Sequence, residues 1–388
     1  MALGFEGFEW AMHHCRDLLW HDLAGDRPGW MTTIALTTIG GAVLGIALRL
    51  VPGHGGQHPA EGHSLLEHDT GSLPLVAGVL VVGFVGLVAG ASLGPEGAII
   101  PAAAGISILV ARWSRIPGLL SPILPAAGLA ALLAAMFGSP LAGVVPLLEM
   151  IPSGGAMPLP LLVLPSLTAS ATAALTLQVL GVHPEGYLPI GRVGFERGDL
   201  LWAVVIGVVI GSVGLFVDRI IPLLRSVTRR VDRTSVVATT TIGGIVLGVL
   251  YVIGGTSIRF AGIPELLQLT RGHASLRVVL VALGTKVLAT AWCVAAGYRG
   301  GKIFPVAFIG GAGGLALHLI VHTVPIGVAV GGGIAAALAT GLGSPVTAAL
   351  VAASVLGPEL LPIAIVCVVC SHATHLLADQ LAPATTTH

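Results

Sequence analysis

The chain has 388 residues, 18 Lys and Arg against 18 Asp and Glu, a formal net charge of zero and a charged fraction of 9%. Soluble domains carry roughly 25% charged residues, so a water-covered surface is excluded, and so is disorder, which needs a polar, charge-rich chain. Balanced charge without a dominant basic block also excludes a nucleic-acid binder, which leaves an integral membrane protein.

A membrane-crossing helix needs about 20 apolar residues. Residues 1–29 hold Glu6, Glu9, Arg16, Asp17, Asp22 and Asp26. They form no cleavable signal and are read as an N-terminal segment with a partial first helix. Apolar runs follow from Met31 to Pro52, Leu73 to Leu93, Leu119 to Leu148 and Leu159 to Val182. The chain continues with Leu200 to Val217, Val236 to Ile253, Val278 to Ala296, Ile303 to Val321, Val324 to Leu356 and Leu360 to Cys370. None alternates in the manner of a β-barrel strand, and no Asp falls inside a run. The expected class is an all-α polytopic membrane protein.

Gly138-Ser139-Pro140 and Gly343-Ser344-Pro345 interrupt two of these runs. A broken helix is tolerated in lipid only where protein or a hydrated cavity satisfies its backbone, an arrangement typical of transporters and channels. Arg225, Arg229, Arg230 and Arg233 are opposed only by Asp232. The positive-inside rule makes residues 221–234 a cytoplasmic basic loop.

The chain repeats itself. Thr37 to Gly45 returns as Thr240 to Gly248, Gly90 and Gly94 return as Gly297 and Gly301, and Gly138-Ser139-Pro140 returns as Gly343-Ser344-Pro345. The expected organisation is a first transmembrane repeat over 30–190, a second over 191–378 and a C-terminal tail over 379–388. Duplicated transporters bind their substrate between the repeats, near the bilayer midplane.

Glu96 lies between two long apolar runs, in Ser92-Leu93-Gly94-Pro95-Glu96-Gly97. An ionised carboxylate there costs about 2.5–3.5 kcal/mol on insertion scales, unless a helix N-terminus with its free amides and partial positive charge receives it. Those amides also suit a mobile anion. Glu96 is therefore a candidate gate, or else a plain helix-cap carboxylate. Lys302, in the matching stretch Gly301 to Pro305, either attracts an anion or snorkels to water or pairs with a carboxylate. Glu149, before Pro152, is read as a proton relay or as a cap that ties helices together.

Two polar clusters carry weaker readings. His54, His58, His63 and His68 share a stretch with Glu61, Glu67 and Asp69; without tight ligand spacing this is a solvated loop rather than a zinc site or pH sensor. Cys367 and Cys370, followed by His372 and His375, read as helix packing rather than a metal site.

These residues carry a resemblance. Ser92 to Gly97 resembles the G-[KR]-E-G-P motif of the CLC chloride channel and transporter family, and Gly301 to Pro305 resembles its G-x-F-x-P motif. Gly53-His54-Gly55 with Pro59 stands where that family has G-S-G-x-P. Phe137 to Gly143, followed by Glu149, is similar to its helix that ends in paired glutamates. Order and spacing agree from about residue 30 to 378, and the chain is most similar to a bacterial branch described as ion-transport proteins.

The resemblance implies a homodimer in the inner (plasma) membrane of the cell. Each subunit would consist of two inverted repeats of broken, tilted helices around its own anion pathway. It implies Glu96 as gate, an anion site built from His54, Gly55, Glu96, Gly97, Lys302, Ile303 and Phe304, and Glu149 as proton relay. It implies no cofactor and no resident metal; the partners are an inorganic anion, chloride first, together with protons and the lipid bilayer. Departures are His54 for the pore serine, Pro95 for the basic residue before the glutamate, Phe304 one place late, Met150 for the second glutamate, and no pore tyrosine after Tyr298. The N-terminus also reads as beginning partway through the first long helix.

The function expected is anion transport, with a proton-independent channel as the alternative. A secondary transporter for another solute would need several facing acids at membrane depth, whereas only Glu96 and Glu149 qualify. A membrane-embedded enzyme is not expected, because no Ser–His, paired Asp or H-E-x-x-H arrangement is present.

Overall fold

The computed structural model describes residues 1–25, 28–51, 72–115, 123–150, 158–182, 196–272 and 274–381. Within them lie fifteen α-helices, thirteen of them apolar, because a backbone in lipid must satisfy its own hydrogen bonds. They are α1 (Ala2–Asp17), α2 (Trp30–Leu50), α3 (Leu73–Val88), α4 (Glu96–Trp113), α5 (Ile123–Phe137), α6 (Pro140–Met150), α7 (Leu159–Leu180) and α8 (Asp199–Asp232). After these come α9 (Val236–Gly254), α10 (Ile263–Arg271), α11 (Leu276–Ala295), α12 (Ile303–Ile320), α13 (Ile326–Leu342), α14 (Pro345–Leu356) and α15 (Leu361–Leu381). Among the described residues eight helices are long and apolar enough to cross a membrane, while α3, α5, α6, α13 and α14 are apolar but shorter. The chain is an integral membrane protein.

The two long runs containing Gly-Ser-Pro each divide into two short helices. Gly138 and Gly343 take positive φ, 67° and 65°, a conformation that glycine adopts without the Cβ penalty. Each ends one helix, and the proline two residues on starts the next.

Helices from the two repeats pack on their own counterparts. α2 lies against α9, and α6 against α14. In the α2–α9 crossing a Cβ on Gly41 would strike the carbonyl of Thr240, and a Cβ on Gly244 would strike the carbonyl of Thr37. The same pairing in both directions, with a G-x-x-x-G stripe on each helix, is a local two-fold relation between the repeats. Of the eight long helices α12 is the most buried and α7 the least, so the start of the second repeat's broken helix sits near the centre of the subunit.

Two expectations change. Residues 221–232 are not a loop: α8 runs unbroken through Pro222 to Asp232. Arg225 pairs with Asp232 at 2.9 Å two turns on, and Arg229 and Arg230 in the last turn suit the negative end of the helix dipole. Asp218 consequently lies inside a long helix, so Asp is not absent from the apolar helices. His54 and Gly55, the His54–His68 cluster and the residues that join the two repeats lie outside the described residues.

Candidate functional site

Two broken segments meet at the centre. The chain leaves α3 and α11 through glycines of positive φ, Gly90 (102°) and Gly297 (84°). It then passes through the only bridge among the described residues. Gly94 N–H donates to the Gly301 carbonyl and Gly301 N–H to the Gly94 carbonyl, both at 2.8 Å. This reciprocal pair sets the first turns of α4 and α12 side by side. Ser92 is held behind it, 3.4 Å from the Thr290 hydroxyl and from Cys293 Sγ.

Glu96 opens α4 and is 2% exposed. Its Oε1 accepts from the backbone N–H of Ile303 at 2.7 Å and of Phe304 at 3.4 Å. The carboxylate of one repeat thus occupies the helix N-terminus of the other, where free amides and a partial charge of about +0.5 stabilise it. Three glycines permit this approach: a Cβ on Gly94 or on Gly301 would overlap the Glu96 side chain, and one on Gly97 would strike Gly300 and Gly301. Phe304 packs at 6.3 Å, ring centre to ring centre, on Phe137 at the end of α5.

The structure therefore brings together Glu96, Gly97, Ile303 and Phe304 from the predicted set. Lys302 sits at the N-cap of α12, but its Nζ lies 2.9 Å from Asp218 Oδ1 on α8, in a half-exposed pair. That is the carboxylate-pairing alternative. Glu149 reaches another helix start: it accepts from Val346 N at 2.8 Å, from Thr347 N at 2.9 Å and from the Thr347 hydroxyl.

Sequence reasoning missed several participants. Asp218 stood one residue beyond the expected run and outside the expected basic loop, so it received no role. Gly94 and Gly301 were visible as repeat partners, but their role as walls around a carboxylate is not. Cys367, expected to pack, is buried with its Sγ 3.3 Å from the Ala203 carbonyl, joining α15 to α8. Among the described residues no group of three His, Cys, Asp or Glu is arranged to hold a metal.

Known proteins carry the same pattern. Residues 40–375 match the family described as "Voltage gated chloride channel". The "Putative ion-transport protein YfeO" of Escherichia coli (strain 55989 / EAEC) is 31% identical over 321 residues, 80% of this chain and 74% of that protein. Among solved structures, a slow cyanobacterial Cl⁻/H⁺ antiporter superposes with a TM-score of 0.79 at 22% identity, covering 99% of this chain and 96% of the other. A CLC-type fluoride/proton antiporter gives 0.69 at 21%, covering 88% and 93%. The fold is that of CLC transporters, built as two inverted repeats, in a family of channels and transporters rather than enzymes. With the family's pattern matched over most of its length, the chain belongs to the voltage gated chloride channel (CLC) family of anion-transporting membrane proteins.

Proposed function

We propose that this protein carries a small inorganic anion, chloride first, along a path past the N-termini of α4 and α12, with Glu96 as its gate. One observation carries the reading: the Glu96 carboxylate occupies the amides of Ile303 and Phe304. An anion needs the same donors and bears the same charge, so gate and anion exclude one another. Protonation removes the charge that holds the carboxyl on these amides, and the side chain yields them. Gly97 and Lys302 would contribute the neighbouring backbone, with the Lys302 ammonium acting only at a distance.

A passive channel is the second reading. It is favoured by the engagement of Glu149 with three donors of α14, since a proton passing through Glu149 would have to break that cap. The remaining parts of the reading are a homodimer in the cell's inner membrane, with the arginine-rich end of α8 on the cytoplasmic side. The exposed leucines of α7, Leu159, Leu161 and Leu164, offer an apolar face to lipid or to the second copy.

The test uses purified protein in liposomes, with chloride efflux and proton uptake recorded together and fluoride in parallel. Anion efflux is expected, and its dependence on pH between 5 and 8 should fall below twofold in Glu96→Gln, with any proton movement lost. Parent-like pH dependence in that variant would remove the gate assignment. Absence of anion flux at every pH and voltage would remove the function.

A further inference from the structure

A cavity of about 150 Å³ lies between α1 and the start of α10 and reaches Pro95 and Phe304, which neighbour Glu96. Its walls include Met12, His13 and Arg16 of α1, Glu265 in the first turn of α10, and Pro95 and Phe304 beside Glu96. A single water needs roughly 10–15 Å³ of such space, so the cavity holds several. The lining includes the residue before Glu96 and the residue whose amide N–H Glu96 accepts from. It also includes a second carboxyl, Glu265, whose Oε2 is buried without a hydrogen-bond donor among the described residues.

We propose that this cavity is a hydrated antechamber in which Glu265 relays protons between solvent at α1 and Glu96. The inference rests on Glu96 being the gate. In the step an O–H bond breaks at Glu265 as one forms at Glu96, each intervening water accepting one proton and passing on another. Solvent then reprotonates Glu265, so no other reactant is consumed.

The surroundings favour the protonated form of this carboxyl. Burial pushes the Glu265 carboxyl above its ordinary value, while its own backbone N–H and the charges of Lys286, Arg16 and His13 pull it part of the way back. Each of those cations has other contacts. Lys286 of α11 donates to the carbonyls of Ile258 at 3.1 Å and Phe260 at 2.5 Å. Arg16 lies over the Phe260 ring and beside His13, and His13 lies 3.3 Å from Glu9. Arg259, on the segment before α10, faces the Trp20 ring, and α12 presents Phe304. No salt bridge fixes Glu265 in its ionised form among the described residues.

The test is a stopped-flow jump from pH 7.5 to 5.0 on liposomes carrying a chloride-sensitive dye, reading the rate at which chloride flux rises. Glu265→Gln should slow that rise at least fivefold, with Glu265→Asp within twofold of the parent. A parent-like rise in Glu265→Gln, with Glu96→Gln unresponsive, would overturn the relay and leave the gate standing. A parent-like response in Glu96→Gln would remove the gate reading, and the relay with it. Lower steady flux with an unchanged rate of rise would mark Glu265 as a packing residue and overturn the proposal. If Glu265→Gln does not fold, Met12→Trp, which fills the cavity from α1, decides: the same slowing supports the relay and an unchanged rate sinks it.

Discussion

The two repeats share a backbone at the centre and differ in what they place on it. Gly94 and Gly301 exchange equal hydrogen bonds, and α4 and α12 start from equivalent positions. The first repeat sends the Glu96 carboxylate across to the amides of α12, whereas the second turns Lys302 outward to Asp218 on α8. The asymmetry recurs further out. Glu149 at the end of α6 reaches the amides that open α14. In both places the first repeat supplies a negative group and the second an open helix N-terminus. Duplication built a symmetric frame, and the charges then divided into a donor half and an acceptor half. Under the proposed function an anion competes with the Glu96 carboxylate for the amides of the other repeat.

The largest effect is expected where the frame has least tolerance. Gly41→Val or Gly244→Val places a side chain into a backbone carbonyl of the opposing helix. Overpacking costs about 1–3 kcal/mol where side chains can give way, and here a backbone would have to move. Each variant should abolish recovery of folded protein on gel filtration, and the two should be equally severe because the crossing is two-fold. A mild phenotype in either would break the symmetry argument. Next comes Gly301→Ala, whose methyl occupies the place of the Glu96 side chain. It should raise chloride flux at pH 7.5 severalfold and flatten its pH dependence, with little change in melting temperature, as measured in the same liposome assay. Flux below that of the parent would mean that the methyl blocks the anion instead of the gate.

Glu149 separates capping from proton transfer. Loss of an N-terminal cap costs about 0.5–2 kcal/mol, so Glu149→Gln, which keeps one acceptor, should lower the melting temperature by a few degrees. As a cap it leaves the ratio of proton to anion flux unchanged, whereas as a relay it would reduce that ratio at least tenfold. Lys302→Met should change chloride affinity by less than twofold in calorimetry. The ammonium is half-exposed and paired with Asp218, and such pairs contribute about 0–1 kcal/mol. A larger loss would return Lys302 to the anion site.

Much of this was legible in the sequence because membranes impose few solutions. Scarce charge identified the class, and glycine-containing breaks at fixed offsets exposed the repeats and the helix starts that meet at Glu96. Glu96 stood out because an ionisable group at that depth needs a helix end. What remained hidden was which helix end: nothing in residues 92–97 says that the carboxylate lies on Ile303 and Phe304 rather than on its own α4. The outward turn of Lys302 was equally hidden, since its partner Asp218 is 84 residues away. The continuation of α8 to Asp232 was misread because a cluster of arginines looks the same in a loop as along the last turns of a helix. Glu265 drew no attention, and the partial first helix expected in residues 1–29 had no stated partner, as their meeting depends on a fold that brings the N-terminal segment over the start of α10.

The smallest effect tests whether burial of Glu265 costs stability. A carboxyl raised on folding, as burial raises this one, contributes stability that is full below its unfolded value and is lost as pH rises through its folded value. Folding then works against the ionised form at neutral and alkaline pH. Glu265→Gln removes that opposition, so its melting temperature should exceed the parent's by a degree or two at pH 8. Well below the ordinary carboxyl value, where Glu265 is neutral in both folded and unfolded chains, the two should coincide. A variant less stable than the parent at pH 8 would mean that Lys286, Arg16 and His13 outweigh burial and hold Glu265 as an ordinary ion pair. Glu265 would then join Asp218 and Asp232 as a paired carboxylate of the second repeat, and the division between donor and acceptor halves would not extend to α10.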